Sequence, residues 1–184
     1  MKKIFAILSL SFLIICGSAY TIQSLINWKI DSEKAMVKFV MNAHNQELVG
    51  NFKAAKGEVK FDEKDPAASS IVCSVDVVTI NTGVEPRDKH LQSKGFFDAA
   101  ANPVIKFTSS KIEKTTDGYL ATGNLLMKAT TKEISIPFVF EKNPGGAVFK
   151  GSFVVKRNDY NVGKPDPDMS DEVTIKLEIP VTEK

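Results

Sequence analysis

The residues best suited to chemistry are concentrated in one stretch, TGVEPRDKHLQSKGFFDAAANPVIKF, at residues 82–107. Asp88 and His90 form a candidate acid–base pair there, because a carboxylate beside a histidine orients the ring and tunes its pKa near neutrality. The same stretch carries Phe96 and Phe97, and large apolar groups in a loop need something to bury against. The stretch therefore supports two interpretations, a catalytic loop or the mouth of an apolar binding site.

The catalytic interpretation lacks a nucleophile. Neither G-x-S-x-G nor H-E-x-x-H occurs in the chain, and Cys73 lies in a strand pattern with no histidine near it in sequence. The simpler role for Arg87 and Asp88 is an ion pair or a helix-terminal hydrogen bond that fixes the loop. We therefore predict no catalytic residue, and keep an enzyme that uses Asp88 and His90 as the alternative.

A metal site is the other chemistry to weigh. His44 and His90 are the only histidines, and a divalent ion would need further ligands such as Asp88 or Asp98. Nothing in their spacing requires an ion, and hydrogen bonds to loop backbone or to a polar ligand head explain both histidines. We predict neither a metal nor a cofactor.

The N-terminus, MKKIFAILSLSFLIICGSAY, has the layout of a secretory signal peptide: two lysines, a short apolar run and small residues. We predict a signal peptide at residues 1–19, cleavage before Tyr20 and a periplasmic or secreted protein. Lipidation of Cys16 is the alternative, and Ile15 argues against it because lipoprotein processing prefers a small residue there. Residues 20–184 then form a single domain.

Charge and cysteine content narrow the classes further. The chain has 24 basic and 22 acidic side chains, and two of the basic ones, Lys2 and Lys3, belong to the predicted signal. A balanced chain without a basic cluster does not favour nucleic acid as a partner. The exported chain keeps only Cys73, so it has no internal disulfide, and we expect this thiol to be buried as a small hydrophobe.

The dominant periodicity of the exported chain is two, which is typical of strands with one drier face. It is clear at residues 35–43, where Val37, Phe39 and Met41 alternate with Lys38 and other outward positions. About eight such strands follow one another, separated by turn signals such as Asp117-Gly118. The pattern predicts an all-β barrel or sandwich; we favour a closed antiparallel barrel because closure removes exposed edges. Side chains can fill such a barrel, or it can hold one small ligand.

Several ordered segments make the chain resemble the YceI-like family of exported lipid-binding proteins over nearly its whole exported length. They are WKIDSEKAMVKFVMNAHNQELVGNF, GEVKFDEKDPAASSIVCSVDVVTINTG, RDKHLQSKGFFDAAANPVIKFTSS, GNLLMKATTKEISIPF and KRNDYNVG. One departure is Ala129, where the family usually has glycine in a turn. The resemblance implies an extended lipocalin-like antiparallel barrel that encloses a long apolar ligand, as relatives do with polyisoprenoids, isoprenoid quinones and fatty amides.

The residues and the resemblance together predict a carrier of a long-chain lipid or isoprenoid ligand. A ligand-free structural or stress module is the further alternative to the enzyme, which would act on a lipid headgroup. Transient membrane contact and a homodimer are left open as partner interactions. The candidate ligand contacts are His44, Asp88 and His90 as polar groups, with Val37, Phe39, Met41, Phe52, Val75, Val77, Ile105 and Phe107 as wall residues and Phe96 and Phe97 near the entrance.

Overall fold

The computed structural model describes residues 25–184, which form ten strand segments and one α-helix. The strands are β1 (Asn27–Ile30), β2 (Met36–Ala43), β3 (Gln46–Phe52), β4 (Lys56–Lys60), β5 (Ser70–Asp76), β6 (Val104–Thr115), β7 (Gly118–Met127), β8 (Thr130–Asn143), β9 (Gly146–Lys156) and β10 (Glu172–Glu183). The helix is α1 (Glu85–Gln92), and short 3-10 turns cover Pro66–Ala68, Val77–Thr79 and Arg157–Tyr160. The predicted signal peptide and the alternative lipidation of Cys16 lie outside the described residues.

The strands close into an antiparallel barrel. β1 pairs with both β4 and β10, which completes the ring β1-β4-β5-β6-β7-β8-β9-β10. β2 follows β1 along the edge of β10, and β3 pairs with β2 before the chain continues into β4. Ten segments therefore occupy eight positions around the barrel, and the predicted barrel of about eight strands is confirmed.

Alternation of side chains determines what the barrel encloses. Along β7, Tyr119, Ala121, Leu125 and Met127 are buried, while Asn124 between them is exposed. The other long strands follow the same rule, and it places the odd-numbered residues of β2 and β5 inside, as the sequence pattern predicts. The barrel interior is consequently apolar.

Antiparallel topology gives the barrel two different ends. The connections β2–β3, β5–β6, β7–β8 and β9–β10 lie at one end, which we call the helical end because α1 belongs to it. The opposite end holds the turns β6–β7 and β8–β9 and strand β1. We call it the aromatic end, because Trp28, Phe61, Tyr119 and Phe140 pack together there.

The connection between β5 and β6 is more regular than the sequence pattern indicates. We predict an irregular loop there, but eight of its residues form α1. Pro86 lies in the first turn, where proline is tolerated, and Glu85 and Asp88 place acidic groups near the helix N-terminus. Lys89 lies in the last turn, where a positive charge is favourable, so local sequence explains the helix.

The turn between β7 and β8 shows why the family usually has glycine where this chain has Ala129. Lys128 and Ala129 both have positive φ, 46° and 58°, as a two-residue hairpin turn with the correct twist requires. A side chain in this region costs roughly 1–2 kcal/mol, a cost that glycine avoids. The hairpin therefore forms despite the alanine, with local backbone strain.

We expect Ala129→Gly to stabilise the protein by about 1 kcal/mol, because it removes the strain of a left-handed alanine. Chemical denaturation checks this against Ala100→Gly, at an exposed turn residue without positive φ. The control should be neutral or destabilising, because it only adds freedom to the unfolded chain. Equal destabilisation by both substitutions would contradict the strain at Ala129.

Candidate ligand-binding cavity

The barrel contains an apolar cavity with a volume of about 160 Å³. Every strand except β1 contributes to its wall, and nearly all of the contributing side chains are apolar. The two polar contributors, Ser74 and Lys150, direct their polar atoms elsewhere. Lys150 Nζ bonds to Glu141 Oε2 at 2.6 Å, and Ser74 Oγ bonds to the Lys56 carbonyl at 3.5 Å. The wall therefore offers hydrocarbon contact and no directed hydrogen bond.

Two rings of the cavity wall, Phe138 and Phe149, contact the cluster at the aromatic end. Phe61 lies behind both, with ring centroids 5.7 Å from Phe138 and 5.4 Å from Phe149. Phe61 is only 1% exposed, and Trp28 Nε1 donates to its carbonyl at 3.0 Å. The rings of Phe138 and Phe149 thus form a solid floor.

Part of the inward wall stays accessible although its side chains face the barrel interior. Val37, Ile105, Phe153, Ile175 and Leu177 are only partly buried, whereas a filled core would bury such residues completely. Inward apolar residues with free surface indicate a cavity that a small molecule can enter.

The segment that carries α1 packs over the helical end through aromatic side chains. The Phe97 ring meets the cavity residue Phe52 edge-on, with centroids 5.8 Å apart. The Phe96 ring packs against His90 at 4.8 Å. Gly163 N donates to the Gly95 carbonyl at 3.1 Å, so the segment is also tied to the β9–β10 connection. Phe97 therefore packs against a cavity residue without belonging to the cavity wall itself.

Arg87 and Asp88 fix their segment through Thr82 and not through a direct ion pair. Asp88 Oδ1 accepts from Thr82 N at 2.8 Å and from Thr82 Oγ1 at 2.6 Å. Arg87 donates to Thr82 Oγ1 at 2.8 Å and to its carbonyl at 3.0 Å. The two charged residues therefore hold the segment just before α1 in place. This is a structural role, as expected if Arg87 and Asp88 fix the loop and do not act in catalysis.

The structure does not bring Asp88 and His90 together as an acid–base pair. They are two residues apart on α1, and side chains at that spacing do not face each other on a helix. His44 is also separate, exposed in the β2–β3 turn with φ of 51°. Within residues 25–184 no group of three or more His, Cys, Asp or Glu side chains is placed to hold a metal ion.

Five of the predicted contacts lie in the cavity wall, and the others lie elsewhere. The wall residues are Val37, Phe52, Val75, Ile105 and Phe107. The remaining apolar ones pack outside the wall: Phe39 covers Gly50 and touches Phe52, Met41 packs partly buried against the core, and Val77 is buried in a 3-10 turn. Asp88, His90, His44, Phe96 and Phe97 border the helical end or its turns, so their contact with ligand stays a prediction.

Much of the wall comes from β7 to β10, from which the sequence reasoning names no residue. Ala121, Leu125, Phe149 and Ile175 are among the cavity residues there. Their signal is present in the alternation of YLATGNLLMK, AVFKGSFVVK and EVTIKLEIPV. Parity would therefore have placed them on the inward face of the barrel.

Cys73 is a wall residue whose environment can be tested by its reactivity. Burial raises the pKa of its thiol from 9.0 to about 12. Since the thiolate is the reactive form, we expect alkylation at pH 8 to be about a thousandfold slower in the folded protein than in denaturant. Iodoacetamide labelling with peptide mapping, which separates Cys73 from Cys16, measures this; similar rates in both states would contradict the raised pKa of this partly buried residue.

The raised pKa also sets a pH dependence of stability. Its contribution is complete below the unfolded value near 9.0 and is lost as pH rises toward about 12, because only the unfolded chain then releases the proton easily.

A closed antiparallel barrel around an apolar cavity is an architecture that can hold one small apolar molecule. The model of the YceI-like domain matches residues 28–181, and the chain belongs to this family. A UPF0312 protein of Photorhabdus laumondii is 32% identical over 144 residues, which cover 73% of this chain and 75% of the relative.

Solved structures show the same barrel. BcnA of Burkholderia cenocepacia superposes with a TM-score of 0.78 at 30% identity, over 83% of this chain and 99% of that protein. A polyisoprenoid-binding domain of Saccharophagus degradans superposes with a TM-score of 0.66 over 85% of this chain and 98% of that domain. At 12% identity the latter likeness concerns the fold alone. Among the described residues, no helix is long and apolar enough to cross a membrane.

Proposed function

We propose that this protein binds and carries a long-chain apolar ligand, such as a polyisoprenoid, an isoprenoid quinone or a fatty amide. The observation that carries the proposal is the cavity inside the barrel, whose wall is hydrocarbon and partly accessible. Membership of the YceI-like family supports apolar ligand binding, and the Saccharophagus degradans domain with this fold is described as polyisoprenoid-binding. The hydrocarbon end of the ligand enters the barrel, and its polar end remains near the helical end.

The energetics of such a site are sufficient. A cavity of about 160 Å³ accepts about six to eight carbon atoms, and their burial contributes roughly 5–6 kcal/mol at about 0.8 kcal/mol for each methylene group. Association costs several kcal/mol, so useful binding requires a hydrocarbon chain that fills the cavity. An apolar wall without directed polar groups favours hydrocarbon length over a particular head group.

We place this carrier in the periplasm or outside the cell. The support is the N-terminal sequence, with Lys2 and Lys3 before an apolar run and small residues. A carrier must collect its ligand from a membrane, so transient membrane contact belongs to the proposal. Intact-mass analysis of protein from its native envelope should give an N-terminus at Tyr20; a diacylated Cys16 would replace the free carrier by a tethered one.

The competing enzyme has weaker support, because Asp88 is held by Thr82 and does not orient His90. We therefore interpret the protein as a binding protein. Organic extraction of protein purified from its native envelope, followed by mass spectrometry and a turnover assay, separates the alternatives. Stoichiometric lipid without turnover is the expected result; turnover would favour the enzyme, and a protein without extractable lipid would favour a filled structural module.

A further inference from the structure

We infer that Phe138 and Phe149 act as a stop that limits how many carbon atoms of a ligand chain the barrel accepts. This inference rests on the proposed function, since it concerns how much of a ligand chain the same cavity holds. Both rings belong to the cavity wall, and the aromatic side chains behind them do not. The two residues would therefore determine how deeply a ligand chain enters the barrel.

The size of the cavity gives the first argument. An apolar cavity of about 150 Å³ holds a molecule the size of benzene. At about 160 Å³, this cavity has room for a hydrocarbon segment of about six to eight carbon atoms. A long-chain ligand consequently places its terminal segment in this cavity and extends from it toward the helical end.

The second argument is that the floor cannot easily move. Phe61 is surrounded by four rings with centroid distances of 5.0 Å to Tyr119, 5.7 Å to Phe138, 5.0 Å to Phe140 and 5.4 Å to Phe149. All four contacts are edge-on, a favourable arrangement for aromatic pairs. Interdigitated interiors of this kind have little free volume, so a chain end that reaches Phe149 cannot displace it at low cost.

The third argument is that the opposite end can yield. α1 contains no buried residue. The hydrogen bonds that hold its N-terminal end join Thr82, Arg87 and Asp88, which all belong to the same segment, so they do not anchor α1 to the barrel. Phe97 is only partly buried where it covers Phe52. Chain length beyond the capacity of the cavity therefore leaves at the helical end, while the floor fixes the depth.

The test measures the affinity of a homologous series of primary alcohols, from about six to about sixteen carbons. Each affinity is determined from the displacement of a fluorescent fatty acid analogue. In the native protein, affinity should rise about fourfold per methylene up to about eight carbons and then level off. Phe149→Ala removes a benzene-sized ring from the floor, so its levelling point should move by about six carbons.

Phe140→Ala is the matched control. Phe140 lies 4.8 Å from Phe149 and 5.0 Å from Phe61 by ring centroids, yet it is not a wall residue. Its removal loosens the same cluster without deepening the cavity, so the levelling point should stay in place. If Phe149→Ala does not fold, Phe149→Leu is used, with a smaller shift in the same direction.

The outcomes separate the stop from the proposed function. A levelling point that is the same in the native protein and the Phe149 variants overturns the stop, as does an equal shift in Phe140→Ala. Failure of the native protein to bind any alcohol or the fluorescent analogue instead overturns the proposed function.

Discussion

Ala121→Leu is expected to weaken ligand binding about fiftyfold while the protein stays folded. Ala121 lies on β7, is 2% exposed and belongs to the cavity wall. Three added carbon atoms would occupy space that about three methylene groups of the ligand fill, a loss of about 2.4 kcal/mol at 0.8 kcal/mol each. Filling an empty cavity also tends to stabilise a protein, by about 0.5–2 kcal/mol.

The measurement combines lipid retained per folded molecule with the free energy of unfolding. Asn124→Leu is the matched control, because Asn124 lies on the same strand and is exposed on the outside of the barrel. It adds an apolar side chain outside the cavity and should leave lipid retention unchanged. Normal retention by Ala121→Leu, or an equal loss in both variants, would argue that the ligand binds elsewhere.

The substitution Arg157→Met is expected to destabilise the protein by about 3–5 kcal/mol. Arg157 is 5% exposed, and its guanidinium donates to the carbonyls of Lys164 at 2.8 Å, Ser170 at 2.9 Å, Val162 at 3.1 Å and Met169 at 3.2 Å. Charge-assisted bonds of this kind are strong, and methionine leaves the acceptors unpaired. The β9–β10 connection would lose the side chain that organises it.

Chemical denaturation measures this loss against Lys156→Met, an exposed neighbour whose substitution should change stability by less than about 0.5 kcal/mol. Arg157→Lys keeps the charge but not the planar fork, so an intermediate loss is expected. Because Gly163 N bonds to the Gly95 carbonyl, loosening this connection should also speed ligand release from any Arg157 variant that folds. A change below about 1 kcal/mol in Arg157→Met would show that water or other donors satisfy the carbonyls equally well.

Side-chain alternation is the part of the fold that sequence predicts well. The parity of β2, β5 and β6 places Val37, Val75 and Phe107 inside, and all three lie in the cavity wall. Period two requires only that one face be dry, and this holds wherever a strand crosses the barrel. The wall residues of β7 to β10 follow the same rule, so alternation also predicts that they face the barrel interior.

Depth along the barrel is what parity does not determine. Phe39 has the same parity as Val37, but its ring lies on Gly50, where a side chain at position 50 would collide with it. The aromatic floor is likewise a tertiary arrangement, because Phe61, Phe138 and Phe149 come from different parts of the chain. Which inward residues face free volume depends on strand tilt and ring packing, and the sequence of a single strand predicts neither of them.

The helix in the β5–β6 connection shows a second limit. Its polar residues invite a catalytic interpretation while their local structure is unknown, because Asp88 and His90 are close in sequence. Helical geometry separates them, and Thr82 uses the carboxylate. Spacing becomes informative about chemistry only after the secondary structure is known.

The most direct test of ligand binding inside the barrel is the set of magnetisation transfers between a bound isoprenoid alcohol and methyl groups of the protein. With methyl-labelled Ile, Leu and Val, the ligand chain should show contacts to Ile105, Ile175 and Leu177, which lie in the cavity wall. It should show none to Val154 and Leu126, which are exposed on the outside. Contacts confined to the outer methyl groups, with unchanged signals from the wall, would contradict a ligand enclosed by the barrel.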